Sequence, residues 1–299
     1  MSNPDITETI NRFYNLYGNN PKGAPVTRFR SWEWCHNYFI EHKDNPSAEE
    51  KDFMALHLAF YLASWGMYRG STYLLQRDYK AHTNAVENIL NNEYQLLWNF
   101  DSTQSDINKA KELLFGNDGN GGIYHKIKDS YNEYYGSDDD ASETLVTKIL
   151  LGTFGCVPAF DRFLKSGISW YQKNNSAKIG NYTLTQSIQD KRHETFSALC
   201  QFASDKKTEL DSLLDSLNIK YPPMKLVDMY FWELGYELYL AKELVDDKNS
   251  DNKKAKLREC AYNLELCDIN DDFNTANNKI MKQFPTTNNR LTRYPHGQH

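Results

Sequence analysis

No apolar run in this 299-residue chain approaches the roughly 18 residues that a membrane-spanning helix needs. The longest candidate, Phe53 to Leu62, is broken by His57 and followed by Trp65, Gly66 and Arg69. The opening Met1-Ser2-Asn3-Pro4-Asp5 has neither a basic region nor an apolar stretch, so no secretory signal is visible. The five cysteines, Cys35, Cys156, Cys200, Cys260 and Cys267, are odd in number and contain no Cys-x-x-Cys pair, which predicts free buried thiols in a reducing cytoplasm. The sequons at Asn174 and Asn181 then carry no meaning. Proline, at 9, and glycine, at 15, are too sparse for a fibrous or disordered chain. A surplus of basic residues is also missing. The net charge of −6 argues against a broad nucleic-acid surface, because phosphate binding is dominated by Lys and Arg. Local basic groups remain: Arg28 with Arg30, Lys206 with Lys207, Lys253, Lys254, Lys256 and Arg258, and Arg290 with Arg293. Ordinary solvated charge is the simpler reading of each group taken singly.

Several catalytic signatures are absent too. Gly119-Asn120-Gly121-Gly122 lacks the Lys-Ser/Thr of a phosphate loop, and there is no Gly-x-Ser-x-Gly elbow. His193-Glu194 has no second histidine at the metalloprotease spacing, and none of the eight histidines pairs with another at i+4. Neither a zinc site nor a cofactor is expected.

What the chain does contain is apolar and aromatic material for a core: 40% hydrophobic residues and 14% aromatic ones, with Tyr 20, Phe 15 and Trp 6. Its periodicity predicts an all-α, multi-helix globular fold. Met54, Leu58, Tyr61, Trp65 and Tyr68 line one helix face, with Ala55, Ala59 and Leu62 beside them. Gly66 and Gly70 flank Arg69, where the helix bends or a second backbone approaches. Further helices are expected at about 4–17, 30–43, 72–99, 104–115, 122–134, 142–154, 159–166, 184–203, 205–217, 223–246 and 252–283, with Asp5 and Ser47 as N-caps. Lys178 to Leu184 reads as a short extended piece. A break near residues 100–120 would divide the chain into lobes 1–115 and 116–284 with a cleft between them; otherwise Gly116 to Gly122 is a loop within one domain, 1–284. The tail 285–299 is expected to be loosely attached.

The most informative segment runs from Glu143 to Asp161. Glu143-Thr144-Leu145-Val146-Thr147-Lys148-Ile149-Leu150-Leu151-Gly152 reads as a helix. Gly155 and Pro158 mark a tight apolar turn, and a second helix starts near Asp161. A carboxylate at a helix N-terminus meets unpaired N–H groups and the positive end of the dipole. Asp161 is therefore a plain N-cap worth about 1 kcal/mol, or a charged group held ready for chemistry.

This segment resembles the core of the helix-hairpin-helix DNA glycosylase superfamily, including its divergent archaeal 8-oxoguanine branch. There a helix opens with a Thr, runs to a Gly/Pro-containing turn, and is followed by an essential Asp that begins the next helix. Thr144, Pro158 and Asp161 match those positions. Leu226 to Gly235 is similar to a late helix of the archaeal branch. Where lyase-competent members carry a Schiff-base lysine, this chain has Glu143; Lys148 is a nearby substitute if the helix register differs. The resemblance thus implies a monofunctional glycosylase without lysine-dependent strand cleavage. The hairpin's Gly-x-Gly is replaced by Asp139 and Ala141, and the three aspartates Asp138, Asp139 and Asp140 would repel a phosphate. In length and character the whole chain also resembles bacterial phage-defence glycosylases that act on DNA carrying glucosylated hydroxymethylcytosine.

The resemblance implies that Asp161, assisted by Lys148, acts on a flipped base and leaves an abasic site. The partner is DNA, including phage DNA with modified bases, and the reaction needs no metal or cofactor. Trp65, Tyr68, Arg69 and Gln76 are candidates for the base pocket; Trp34 and His36, beside Trp32, form a second group. Each also reads as core aromatic or structural salt bridge. Two other classes stay open. One is a non-enzymatic helical protein that binds a partner in a groove; the other is a helical hydrolase acting on a small nucleoside.

Overall fold

The computed structural model describes residues 4–17, 30–70, 72–98, 100–102, 106–118, 121–132, 141–174, 178–179, 182–183, 192–245, 250–268 and 270–284. Within them the chain is all-α. Fourteen α-helices are joined by three 3-10 turns, and the one extended element among the described residues is an antiparallel pair, Lys178–Ile179 with Tyr182–Thr183. The expected tail 285–299 and the Asp138 to Asp140 run lie outside the described residues.

Contacts divide the chain into two units, residues 2–238 and 239–299. In the smaller, α13 (Asp251–Asn263) packs on α14 (Phe273–Met281). One helix was expected over 252–283. Two form because Glu265 adopts a left-handed φ of 50° and the Asp272 side chain accepts the Thr275 N–H at 2.8 Å, starting a new helix.

The larger unit holds α1 (Ile6–Tyr17) to α11 (Lys207–Leu217) and the first turns of α12 (Pro223–Leu244). Within it α6 (Ile107–Phe115) packs on α7 (Gly122–Asn132), across the expected lobe boundary. Its centre is α8 (Glu143–Gly152), buried at every position from Leu145 to Gly152 and contacted by α2 (Ser31–His42), α3 (Ala48–Ser64) and α7. α2 and α3 form a hairpin whose second helix opens with a complete capping box between Ser47 and Glu50. Met54, Leu58 and Tyr61 of α3 face the core as their spacing predicts, all at most 1% exposed. The helix stops at Ser64, however. Gly66 follows at φ 76°, so Trp65 and Tyr68 sit on the turn beyond the helix.

The helix expected over 72–99 is instead a chain of short pieces: 3-10 turns at Tyr73–Gln76 and Tyr79–His82, α4 (Thr83–Ile89), a 3-10 turn at Asn92–Tyr94, and α5 (Gln95–Trp98). Asp78 and Asn91 are the cause. Their side chains accept the N–H of Lys80 and Glu93, offering the backbone an alternative to helical bonding.

One crossing fixes the two segments that matter most below. α9 (Arg162–Asn174) and α12 touch backbone to backbone at Gly167 and Gly235. A Cβ at Gly167 would lie 1.9 Å from the Phe231 carbonyl oxygen, and one at Gly235 would lie 1.9 Å from that of Phe163. Only glycine allows this approach.

Candidate functional site: two buried lysine–aspartate pairs on a tryptophan

The loop between α8 and α9 is stitched to α8 by two threonines one turn apart. Thr144 Oγ1 donates to the Phe160 carbonyl at 2.9 Å, and Thr147 Oγ1 accepts the Phe160 N–H at 2.9 Å while donating to Glu143 O at 2.8 Å. Val157 and Phe160 are fully buried within that loop. The apolar Gly/Pro turn is therefore a rigid lead-in to Asp161.

Asp161 divides its carboxylate between two tasks. Oδ1 accepts the N–H groups of Phe163 and Leu164 at 2.9 and 3.1 Å, which makes it the N-cap of α9. Oδ2 faces the Lys148 ammonium at 3.4 Å. The Lys148 side chain is 3% exposed and that of Asp161 13%. The cap is thus real, and it leaves the second oxygen free to meet a charge.

A second pair lies beside the first. Lys225 and Asp228, one turn apart at the start of α12, meet at 3.1 Å with side chains 4% and 3% exposed. Asp228 Oδ1 also accepts the Ala159 N–H at 2.9 Å, tying α12 to the loop that carries Asp161. Trp65 joins the two pairs. The Lys148 ammonium lies 5.0 Å from its ring centre and the Lys225 ammonium 5.3 Å; Lys225 is also 5.1 Å from Trp32 and 5.4 Å from Phe13. Cation–π contact of this kind partly replaces lost hydration. Tyr61, Leu151, Ala159 and Trp232 complete the lining, which leaves no room for a water molecule.

Burial governs the titration here. It lowers the pKa of Lys148, with Asp161 and Asp228 opposing the shift. It raises that of Asp228, opposed by Lys225. The phenol of Tyr61, 1% exposed, is also pushed well up by burial.

Of the residues singled out from the sequence, Asp161, Lys148 and Trp65 come together. The others do not line this pocket. The Tyr68 hydroxyl turns to His82 Nε2 at 2.7 Å, and Arg69 and Gln76 are exposed. Trp34 and His36 are two apart on α2 and point opposite ways: Trp34 is 58% exposed, whereas His36 is buried against Trp32, with Nδ1 2.8 Å from the Thr153 carbonyl. Burial pushes the His36 pKa down to about 4. Lys225, Asp228 and Trp232 were missed as site residues. Their readable signal is a Lys and an Asp one turn apart, with a Trp one turn further on the same face, among the apolar residues that open the helix.

Among the described residues no group of three or more His, Cys, Asp or Glu side chains is placed to hold a metal ion, and no helix is long and apolar enough to cross a membrane. All five cysteines are free; four are buried and Cys267 is half-buried. Five described members of the expected basic groups are neutralised locally: Arg30 pairs with Glu33, Lys206 with Glu209, Lys207 with Asp211, Lys254 with Asp251 and Lys256 with Glu259. The chain matches no protein-family model, and comparison with curated proteins and with solved structures finds no similar one.

Proposed function

We propose that this chain is a DNA glycosylase that hydrolyses the N-glycosidic bond of a flipped, modified base and leaves an abasic site, with phage DNA as a target. The observation that carries the reading is Asp161. Its carboxylate is fixed by two backbone N–H groups, half-buried beside a buried ammonium, and set at the edge of an aromatic-lined pocket. Burying two charges is costly, and a stable fold has cheaper ways to cap a helix.

The chemistry follows from that placement. Departure of the base leaves positive charge on the deoxyribose, and a fixed carboxylate close to the sugar stabilises it or orients the attacking water. Lys148 holds Oδ2 in place. Trp65 and Trp232 line the site that a base would enter once extracted from the stack, an extraction that costs a few kcal/mol. Since the pocket is too narrow for water, base entry must open it.

Lys148 also favours a second reading, a glycosylase with lyase activity. An amine with a lowered pKa beside the reactive carboxylate can itself attack C1′. The C1′–N bond breaks and the base leaves with the electron pair; the amine then loses its protons as the C1′–O4′ bond opens, O4′ leaving with that pair and taking a proton, to give an imine. Elimination then cleaves the 3′ C–O bond.

The test is incubation with oligonucleotides and modified phage DNA followed by detection of abasic sites. Asp161→Asn should lower the rate by about 100-fold or more with the fold intact. Borohydride separates the two chemistries. A reduced protein–DNA adduct lost in Lys148→Met supports the lyase, and abasic product without an adduct supports simple hydrolysis.

A further inference from the structure

The turn after α3 is gripped at both ends. At its start the Trp65 carbonyl accepts a hydrogen bond from Lys148 Nζ at 3.4 Å. Three residues on, the Tyr68 hydroxyl lies 2.7 Å from Nε2 of His82, whose Nδ1 lies 2.7 Å from the Tyr131 hydroxyl on α7. His82 is wholly buried, and burial pushes its pKa down to about 3, so the ring is neutral at working pH. A neutral imidazole offers one N–H and one bare nitrogen, so one tyrosine donates to it and the other accepts from it.

Between the two grips the turn is internally closed. Met67 N–H donates to Leu62 O at 2.9 Å, Thr72 Oγ1 donates to Met67 O at 3.0 Å, and Thr72 N–H donates to Arg69 O at 3.2 Å. Gly66 and Gly70 supply the positive φ angles, 76° and 60°, that the turn requires.

Lys148 is sensitive to where that turn sits. Its two oxygen partners, Asp161 Oδ2 and Trp65 O, both stand at 3.4 Å, the long end of the hydrogen-bond range. A shift of a few tenths of an ångström in the Trp65 carbonyl would lose one bond and re-aim the flexible side chain.

We infer that His82 is a positioning residue: through Tyr68 and the stretch from Trp65 to Tyr68 it holds the carbonyl that aims Lys148 at Asp161. The inference rests on the reading of Asp161 and Lys148 as the reactive pair. It gives a role to Tyr68, which does not line the pocket.

The full-length chain tests it with three variants, Tyr68→Phe, His82→Phe and His82→Gln, and two readouts. The first is kcat and KM for abasic-site formation. The second is the rate at which an amine-reactive ester labels Lys148 relative to Lys225, read by mass spectrometry, which needs no catalytic activity. Tyr68→Phe and His82→Phe should lower kcat about tenfold with KM little changed, and Lys148 should label several-fold faster. His82→Gln, with one donor and one acceptor, should restore both. Folded Tyr68→Phe with unchanged kcat and unchanged Lys148 labelling overturns the inference, even if His82→Phe fails to fold. Faster Lys148 labelling in the variants, with a wild-type chain that releases no base, would support the positioning and sink the glycosylase reading instead.

Discussion

At the scale of single residues, Asp161 is both cap and candidate catalyst, one oxygen for each. Lys148 gives a pH test with opposite signs for the two chemistries. Its pKa in the fold lies below the ordinary 10.5. Hydrolysis that needs the ion pair is lost as pH rises through the lowered value, whereas lyase attack by the free amine increases through the same point. A pH–rate profile on the alkaline side distinguishes them. The same shift affects stability. The folded chain holds the Lys148 proton less tightly than the unfolded chain, so this group adds stability as pH rises between its folded value and 10.5. Asp228 acts in the reverse sense: its pKa is raised above 3.8, so its contribution declines as pH rises through that window. Lys225→Met removes the partner of a carboxylate that is 3% exposed. It should cost about 3–5 kcal/mol at neutral pH, with part recovered on acidification. Urea denaturation at two pH values measures this, and an unchanged midpoint would contradict the pairing.

At the scale of elements, the site depends on the α9–α12 crossing, because α9 begins at Asp161's cap and α12 carries Lys225 and Asp228. Gly167→Ala or Gly235→Ala forces a methyl group to 1.9 Å from a backbone oxygen, which no rotamer change relieves. Each should destabilise the chain by more than about 3 kcal/mol, read as a fall in Tm. Much at this scale was legible in the sequence. The core face of α3, the Ser47 cap, and the helix–turn–helix around Asp161 all follow from local spacing. The failures were local competition and handedness, as at Asp78, Asn91 and Glu265, where a side-chain bond or a left-handed residue interrupts an apolar rhythm. Trp34 and His36 were grouped by proximity in sequence, but residues two apart on a helix lie nearly opposite each other. The site was legible only in part. Lys148 and Asp161 share one hairpin, 13 residues apart. Lys225 and Asp228 reach them only through the tertiary crossing, and the Ala159–Asp228 bond spans 69 residues. No local pattern contains that information.

At the scale of the whole molecule, the glycosylase proposal carries a charge prediction about DNA. The net charge is −6, and five of the candidate basic side chains already have carboxylate partners. Few phosphates can then be neutralised without breaking an ion pair. The slope of log K against log salt should be shallow, on the order of −3 or less in magnitude, where a protein with many phosphate contacts shows a much steeper one. Fluorescence anisotropy with a labelled oligonucleotide measures it. Affinity would then come from the pocket and the modified base more than from the backbone. The central claim is that the Asp161 carboxylate drives base release. The most direct measurement is the single-turnover rate of abasic-site formation on modified phage DNA, wild type against Asp161→Asn, with circular dichroism confirming equal folding. A loss of about 100-fold or more is predicted; equal rates from the two folded proteins would contradict it.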